Sequence, residues 1–150
     1  MSQENFMRAA GGFPDPFRLL IRESVQSTND EVRSLAEMGA AEGLVLLAEK
    51  QTAGRGRRGA VWFSPAGESL AFSILLRPPE PKSLWPRLAL ATGLALAEAF
   101  ESIQIHNVKV KWPNDVLIRG KKVAGVLVEN GKGFRHHRHR DQRHDLGFSR

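Results

Sequence analysis

The 150-residue sequence contains no cysteine and no tyrosine. Without thiols it forms no disulfide and holds no thiolate-bound metal, which suits a reducing compartment, so a cytoplasmic location is expected. No run approaches the ~18 to 20 consecutive apolar residues of a membrane span, so no membrane partner is expected. Met1 to Gly12 shows no basic segment followed by an apolar stretch, and export is not expected. The sequence also lacks a Gly-x-x-x-x-Gly-Lys-Ser/Thr phosphate loop, a Gly-x-Ser-x-Gly elbow and a His-Glu-x-x-His helix.

A basic excess is present, but it is local. The net charge is +6, of which residues 131–150, with six basic and two acidic side chains, contribute +4. The remaining 130 residues carry 16 basic and 14 acidic side chains, a net of +2, so the body of the chain is nearly neutral. Four of the five histidines (His136, His137, His139 and His144) lie in the same tail, without acidic partners or a scaffold, and no metal site is expected there.

An apolar fraction of 41% supports a globular domain with a real core. Residues 1–16 read as a mobile leader. Phe17, Leu19 and Ile21 alternate with Arg18, Leu20 and Arg22, which predicts a strand ending near Ser24. Thr28-Asn29-Asp30-Glu31 has the form of a capping box, followed by Val32, Leu35, Ala36 and Met38 at helical spacing, with Gly39 as a stop. Leu44 to Ala48 reads as a buried strand. Ser69 to Leu76 reads as another, with Leu70, Phe72, Ile74 and Leu76 on one side.

Pro86 to Phe100 predicts a second helix, preceded by Ser83 as a cap. Gly93 inside it costs about 1 kcal/mol against alanine unless something packs closely there. Val108 to Trp112 forms a short strand broken by Pro113-Asn114-Asp115. Val116–Ile118 and Lys122–Glu129 pair as a hairpin across a three-residue Arg119-Gly120-Lys121 loop. The order implies an α+β fold, a mixed β-sheet with helices packed on one face. The domain is expected over residues 17–130, followed by a disordered Arg/His-rich tail over 131–150.

Three clusters carry chemistry. Gly54-Arg55-Gly56-Arg57-Arg58-Gly59, with Trp62 beyond it, has no apolar face to bury and suits neither a core strand nor a helix. Its forked guanidinium groups and closely approaching backbone amides suit an anion, although a solvated basic loop or a nucleic-acid patch has the same composition. Lys111, at a strand end before a forced break, is placed to project into a cleft or into solvent. Ser27-Thr28-Asn29 sits at a strand-to-helix junction, where capping and anion binding are compatible.

In this order, Ser27-Thr28-Asn29, Gln51, the arginine loop with Trp62, Lys111-Trp112-Pro113-Asn114-Asp115 and Lys122-Val123-Ala124-Gly125 resemble the biotin-protein ligases. The resemblance covers about residues 17–130, the first half of that family's catalytic domain. It implies a two-step reaction in which biotin and ATP, with Mg2+, give biotinyl-adenylate, which then acylates a lysine of a biotin carboxyl carrier domain. It further implies that Ser27, Thr28, Asn29 and Gln51 bind the ring atoms of biotin. Arg55, Gly56 and Arg57 would form a loop closing over biotin and its carboxylate. Arg58, Trp62 and Asn114 would serve ATP, with Trp62 stacking on adenine. Lys111 and Arg57 would be the catalytic residues. Glycines in the loop fit a lid that is mobile when empty and excludes water when loaded.

Two departures from the family pattern matter. The 26 residues before Ser27 are too few for the winged-helix repressor domain of some members, so no operator DNA is expected, while a homodimer is compatible with the family. The apolar glycine-containing strand that the family shows after the Val-Glu segment is also missing. Codon degeneracy permits Phe134–His144 to be a shifted-frame reading of Phe-Val-Ile-Ile-Gly-Ile-Gly-Ile-Asn-Val, and a frameshift there with impaired activity is expected. The competing readings are a lipoate-protein ligase, which shares the acyl-adenylate logic, and a basic nucleic-acid-binding module using the tail, whose affinity would fall steeply with salt.

Overall fold

A computed structural model describes residues 13–79 and 81–131. Most of the leader, the whole Arg/His run with its histidines, and the frameshift expected from Phe134 lie outside the described residues.

The first unit is built around strand β1 (Arg18–Val25), helix α1 (Thr28–Glu37), strand β2 (Leu44–Gln51) and strand β3 (Ala71–Ile74). β1 and β2 pair in parallel from Arg18↔Leu44 to Val25↔Gln51, with α1 as the connection between them, and β3 runs antiparallel on the other side of β2. On α1 the residues Thr28, Val32 and Ala36 are buried. Their four-residue spacing puts them on one stripe of the helix. The stripe meets Leu46 and Leu75, with Leu20, Leu35, Ala40 and Leu44 at the margin. Leu46 is fully enclosed, a burial worth roughly 1.5–3 kcal/mol.

Two sequence expectations are refined here. Leu20 lies on the α1 side, so the face of β1 toward the helix is not the one carried by Phe17, Leu19 and Ile21. On β3 the alternation is as expected, but the buried set is Ala71, Ser73 and Leu75, while Leu70, Phe72, Ile74 and Leu76 are 38–66% exposed. Small residues at 71 and 73 let α1 approach the sheet, and the larger side chains point the other way.

The second unit comprises helix α2 (Pro86–Ser102) and strands β4 (Val108–Lys111), β5 (Asp115–Ile118) and β6 (Lys121–Gly125) in an antiparallel meander. α2 is entered from a short 3-10 turn at Lys82–Leu84, with Trp85 as N-cap; Ser83 makes no cap. The helix lies on β4 and β5. A Cβ at Gly93 would stand 3.4 Å from Val110 Cγ1, an ordinary contact, so α2 packs on β4 here without excluding a methyl group. The β5–β6 hairpin turns on two residues, Arg119 (φ 50°) and Gly120 (φ 80°), not on the expected three, because Ile118 and Lys121 are register partners. Two successive positive φ angles match the twist of the flanking strands. β6 ends at Gly125, with Val126 N–H donating to the Asn114 carbonyl (2.9 Å) as a last rung.

Among the described residues the expected single sheet is therefore two three-stranded sheets, the first of them mixed, each covered by one helix. Among the described residues no helix is long and apolar enough to cross a membrane.

Candidate functional site

The buried stripe of α1 ends at its N-terminus on Thr28, which places that residue beside the end of β2. Ser27 is the N-cap, with extended backbone and no side-chain capping bond. The expected capping box on Thr28 does not form, because the Thr28 side chain turns toward the sheet. Its amide and hydroxyl both donate to Gln51 Oε1, at 2.9 and 3.1 Å. Ser73 Oγ lies 2.8 Å from Thr28 Oγ1 and also contacts Asn29 Oδ1. Asn29 Nδ2 donates to Glu129 Oε2 at 3.0 Å. The expected residues Thr28, Asn29 and Gln51 thus form one polar cluster with Ser73, while Ser27, buried like Thr28, precedes it in the chain as the N-cap.

The arginine loop leaves β2 as an irregular hairpin, closed by isolated bridges Gln51↔Ser64 and Arg55↔Val61. Trp62 N–H donates to the Gly54 carbonyl (2.9 Å) and Gly56 N–H to that of Ala60 (2.7 Å). A Cβ on Gly54 would fall 2.6 Å from Trp62 O, so the ladder needs glycine there. At the tip, Arg57–Gly59 forms a 3-10 turn in which Arg58 takes φ 57°, ψ 29°. Arg57 and Arg58 are both exposed, and Arg57 Nη1 donates to Asn114 Oδ1 at 3.3 Å.

Arg55 is placed differently from its neighbours. Its guanidinium grips Asp30 through two bonds of 2.5 and 2.6 Å and Glu129 through two more of 2.8 and 3.1 Å. Arg33 adds contacts to the same carboxylates, 3.3 Å to Asp30 and 3.2 Å to Glu129. The Arg55 bonds hold the Asp30 carboxyl below its ordinary range against a smaller effect of burial. Burial pushes Glu129 up, but hydrogen bonds from Arg55 and Asn29 and the charges of Arg55 and Arg33 outweigh it and leave Glu129 lowered. Hydrogen bonds to Asp30 and then Glu129 raise Arg55 further above its already high value.

The second sheet brings in the other cluster. Asn114 Nδ2 donates to the Val126 carbonyl (2.9 Å), which fixes the amide and aims Oδ1 at Arg57. Lys122 Nζ sits 2.8 Å from Asp115 Oδ1 and 5.0 Å from the centre of the Trp62 ring, a cation–π contact. A Cβ on Gly125 would meet Lys122 Cε and Nζ at 3.2 Å and Trp62 at 3.5 Å. Lys111 is exposed at the end of β4, as the register partner of Asp115. Lys122, quoted above only as part of a motif, is thus the lysine found at Trp62. Asp30, Ser73 and Glu129 were also not foreseen as site residues. Asp30 was visible only as an acid in the first helical turn, Ser73 depends on the register of β3, and Glu129 depends on the path of the chain after β6. Among the described residues no three His, Asp or Glu side chains gather as a metal-holding group.

Arg57 at Asn114 and Lys122 at Trp62 and Asp115 place positive charge where the arginine loop meets the second sheet, a charge suited to drawing two anionic reactants together. The family model of the biotin/lipoate A/B protein ligases matches residues 21–139. The biotin--[acetyl-CoA-carboxylase] ligase of Mycobacterium tuberculosis is 41% identical over 113 residues, 72% of this chain and 42% of the relative. The Aquifex aeolicus biotin protein ligase in complex with biotin and ATP superposes with a TM-score of 0.67 at 42% identity, covering 77% of this chain and 47% of the other. The Leishmania major biotin protein ligase in complex with biotinyl-5-AMP gives 0.69 at 30% identity, covering 79% and 54%. The chain thus spans about half the length of these three relatives. A matched segment that takes in β2, the arginine loop and all of the second sheet makes this chain a member of the biotin/lipoate A/B protein ligase family.

Proposed function

We propose that this chain carries the biotin-activating site of a biotin-protein ligase. In the first step a biotin carboxylate oxygen attacks the α-phosphorus of ATP and pyrophosphate leaves. In the second, the amine of an acceptor lysine attacks the acyl carbon and AMP leaves. The carrier would be a biotin carboxyl carrier domain of a biotin-dependent carboxylase, as the name of the Mycobacterium relative suggests.

One observation carries this reading: two segments 57 residues apart, the arginine loop and the Pro-Asn-Asp turn, meet through Arg57 and Asn114. Ser27, Thr28, Asn29 and Gln51 would hold the ring of biotin, with hydroxyls and amides that match a cyclic urea. The backbone of the loop at Gly56 and the Arg57 side chain would close over the carboxylate, and Arg58, Trp62 and Asn114 would receive ATP. Lys122 and Lys111, on the face of the second sheet turned away from α2, would neutralise charge that grows on the phosphates. Mg2+ would enter with the ATP phosphates, since it is commonly held by substrate oxygens with one or two carboxylates.

Isothermal titration of biotin into the purified chain, followed by a pyrophosphate-release assay with ATP, tests the reading. Binding of biotin in preference to lipoate is the expected result. Lack of biotin binding by a folded chain, or equal binding of lipoate, would overturn it. Lys122→Ala and Lys111→Ala, compared in the release assay, separate the two lysines. The variant with the larger fall in rate at similar biotin affinity identifies the residue that acts in the transition state.

A further inference from the structure

We propose that Arg55 is a positioning residue, clasped by Asp30 and Glu129, that holds the base of the arginine loop against α1 and against the end of the second sheet. The proposal rests on the ligase reading for its role in binding, though the clasp itself can be tested without any ligand.

The loop contains three arginines, and their surroundings divide them. Arg57 and Arg58 are exposed at the tip. Arg55 sits at the base, on the bridge to Val61, with a side chain 31% exposed. Asp30 takes Arg55 Nη1 and Nη2, and Glu129 takes Nε and Nη2. The planar guanidinium is therefore used on both edges, and a biotin carboxylate would have to displace one of two carboxylates already in place. Fork-to-carboxylate pairs are the strongest of the ordinary hydrogen bonds and fix orientation as well as distance.

The partners come from distant parts of the chain. Asp30 is in the first turn of α1, beside the Thr28 and Asn29 cluster. Glu129 follows β6 and also accepts from Asn29 and Arg33. Glu129 is thus where α1, the loop base and the second sheet are tied together. With the base fixed, the loop tip pivots over a defined spot, and less freedom is lost when Arg57 closes on a ligand. On this view the motif divides its labour: Arg55 faces the protein, while Arg57 and Arg58 face the ligand.

The test uses the full chain with Asp30→Asn, Glu129→Gln, Arg55→Gln and Arg55→Lys, and a double variant of Arg55→Gln with Glu129→Gln. Two readouts are taken: amide exchange across residues 54–60 without ligand, and biotin affinity. Faster apo exchange is expected in every single variant except Arg55→Lys, which should fall between Arg55→Gln and the parent. Biotin affinity should fall by about tenfold in Glu129→Gln and in Arg55→Gln, and the double variant should be no worse than the poorer single one, because both break the same contact. If Arg55→Gln loses affinity while Asp30→Asn and Glu129→Gln match the parent in both readouts, Arg55 contacts the ligand itself and the clasp is wrong. Should the parent bind no biotin, the ligase reading fails, yet unchanged apo exchange in Glu129→Gln would separately overturn the clasp. A melting curve for each variant identifies any global loss of structure, in which case Arg55→Lys, the mildest change, decides.

Discussion

The two units follow the same plan, one helix laid on a three-stranded sheet, but they differ in how much core that plan encloses. In the first, Val32, Ala36, Val45, Leu46, Leu47, Ala48, Ala71 and Leu75 are all buried. In the second, the buried apolar side chains are Ala97 and Val116, while Leu90, Leu94, Val123 and Val128 are 37–55% exposed. The cause lies in the strands. β1 and β2 are eight residues each, and four consecutive positions of β2 are buried, as befits a central strand paired along both edges. β4 and β5 are four residues each, so α2 covers only a couple of inward side chains per strand. The second unit is therefore held in place largely by polar ties to the first: Arg57 to Asn114, Lys122 over Trp62, and Asn29, Arg33 and Arg55 to Glu129. These ties are also the candidate site, so the thinner unit and the ligand site depend on each other.

The largest expected effect is on the thicker core. Leu46→Ala should cost roughly 2–5 kcal/mol, because Leu46 is enclosed on every side and the cavity cannot easily collapse. Val116→Ala, also at a fully buried position, should cost less, about 2 kcal/mol, since fewer atoms are removed and a helix on a short sheet relaxes more readily. Urea unfolding with fluorescence detection measures both. Equal losses would break the contrast. A separate early transition in Val116→Ala, with β1 and β2 still protected from exchange, would sharpen it by showing that the second unit opens on its own.

Next in size is Gly93, where the two effects oppose each other. Alanine there gains up to about 1 kcal/mol of helix propensity, and its methyl would make ordinary contact with Val110 at 3.4 Å. Gly93→Ala is therefore expected to be neutral or mildly stabilising. Gly93→Leu should destabilise, because the larger side chain would push α2 off β4. Thermal melts of the two variants check the pair, and a destabilising alanine would mean that α2 sits tighter on the second sheet than the comparison supposes.

Sequence reading reached further in the first unit than in the second. Apolar spacing located every strand and both helices among the described residues, because each element is paired with one dominant partner face. The clusters at Thr28, the arginine loop and Asn114 were legible because glycine, arginine and proline leave few local alternatives. Three things were hidden. The turn length at Arg119–Gly120 depends on whether Ile118 faces Lys121, which is a register fact. The placement of Lys122 against Trp62 and Asp115 depends on a register shift between Val116 and Leu117, and no local pattern reports it. The commitment of Arg55 to Asp30 and Glu129 joins residues 25 and 74 positions apart, whereas composition treats the three loop arginines as alike.

The smallest expected effect is one of pH, and it bears on the ties between the units. Asp30 and Glu129 both titrate below their ordinary values in the folded chain: the hydrogen bonds from Arg55 are the main cause for Asp30, and at Glu129 burial is outweighed by hydrogen bonds from Arg55 and Asn29, with the charges of Arg55 and Arg33. A lowered carboxylate contributes stability that is fully present above its unfolded pKa, near 4 for these groups, and is lost as pH falls through the lower folded value. From pH 8 to pH 5 both groups stay ionised, so exchange across residues 54–60, corrected for its intrinsic pH dependence, should not change. Below about pH 4 the carboxylates begin to take up protons, Arg55 keeps its charge throughout, and the loop base should loosen before β1 and β2 do. Glu129→Gln should show the loosened loop already at pH 7, with less further change on acidification. A parent loop that loosens between pH 7 and pH 5 would show that the two carboxylates are not what holds the loop base. The contrast between a self-sufficient first unit and a second unit tied on by carboxylates would then need a different set of ties.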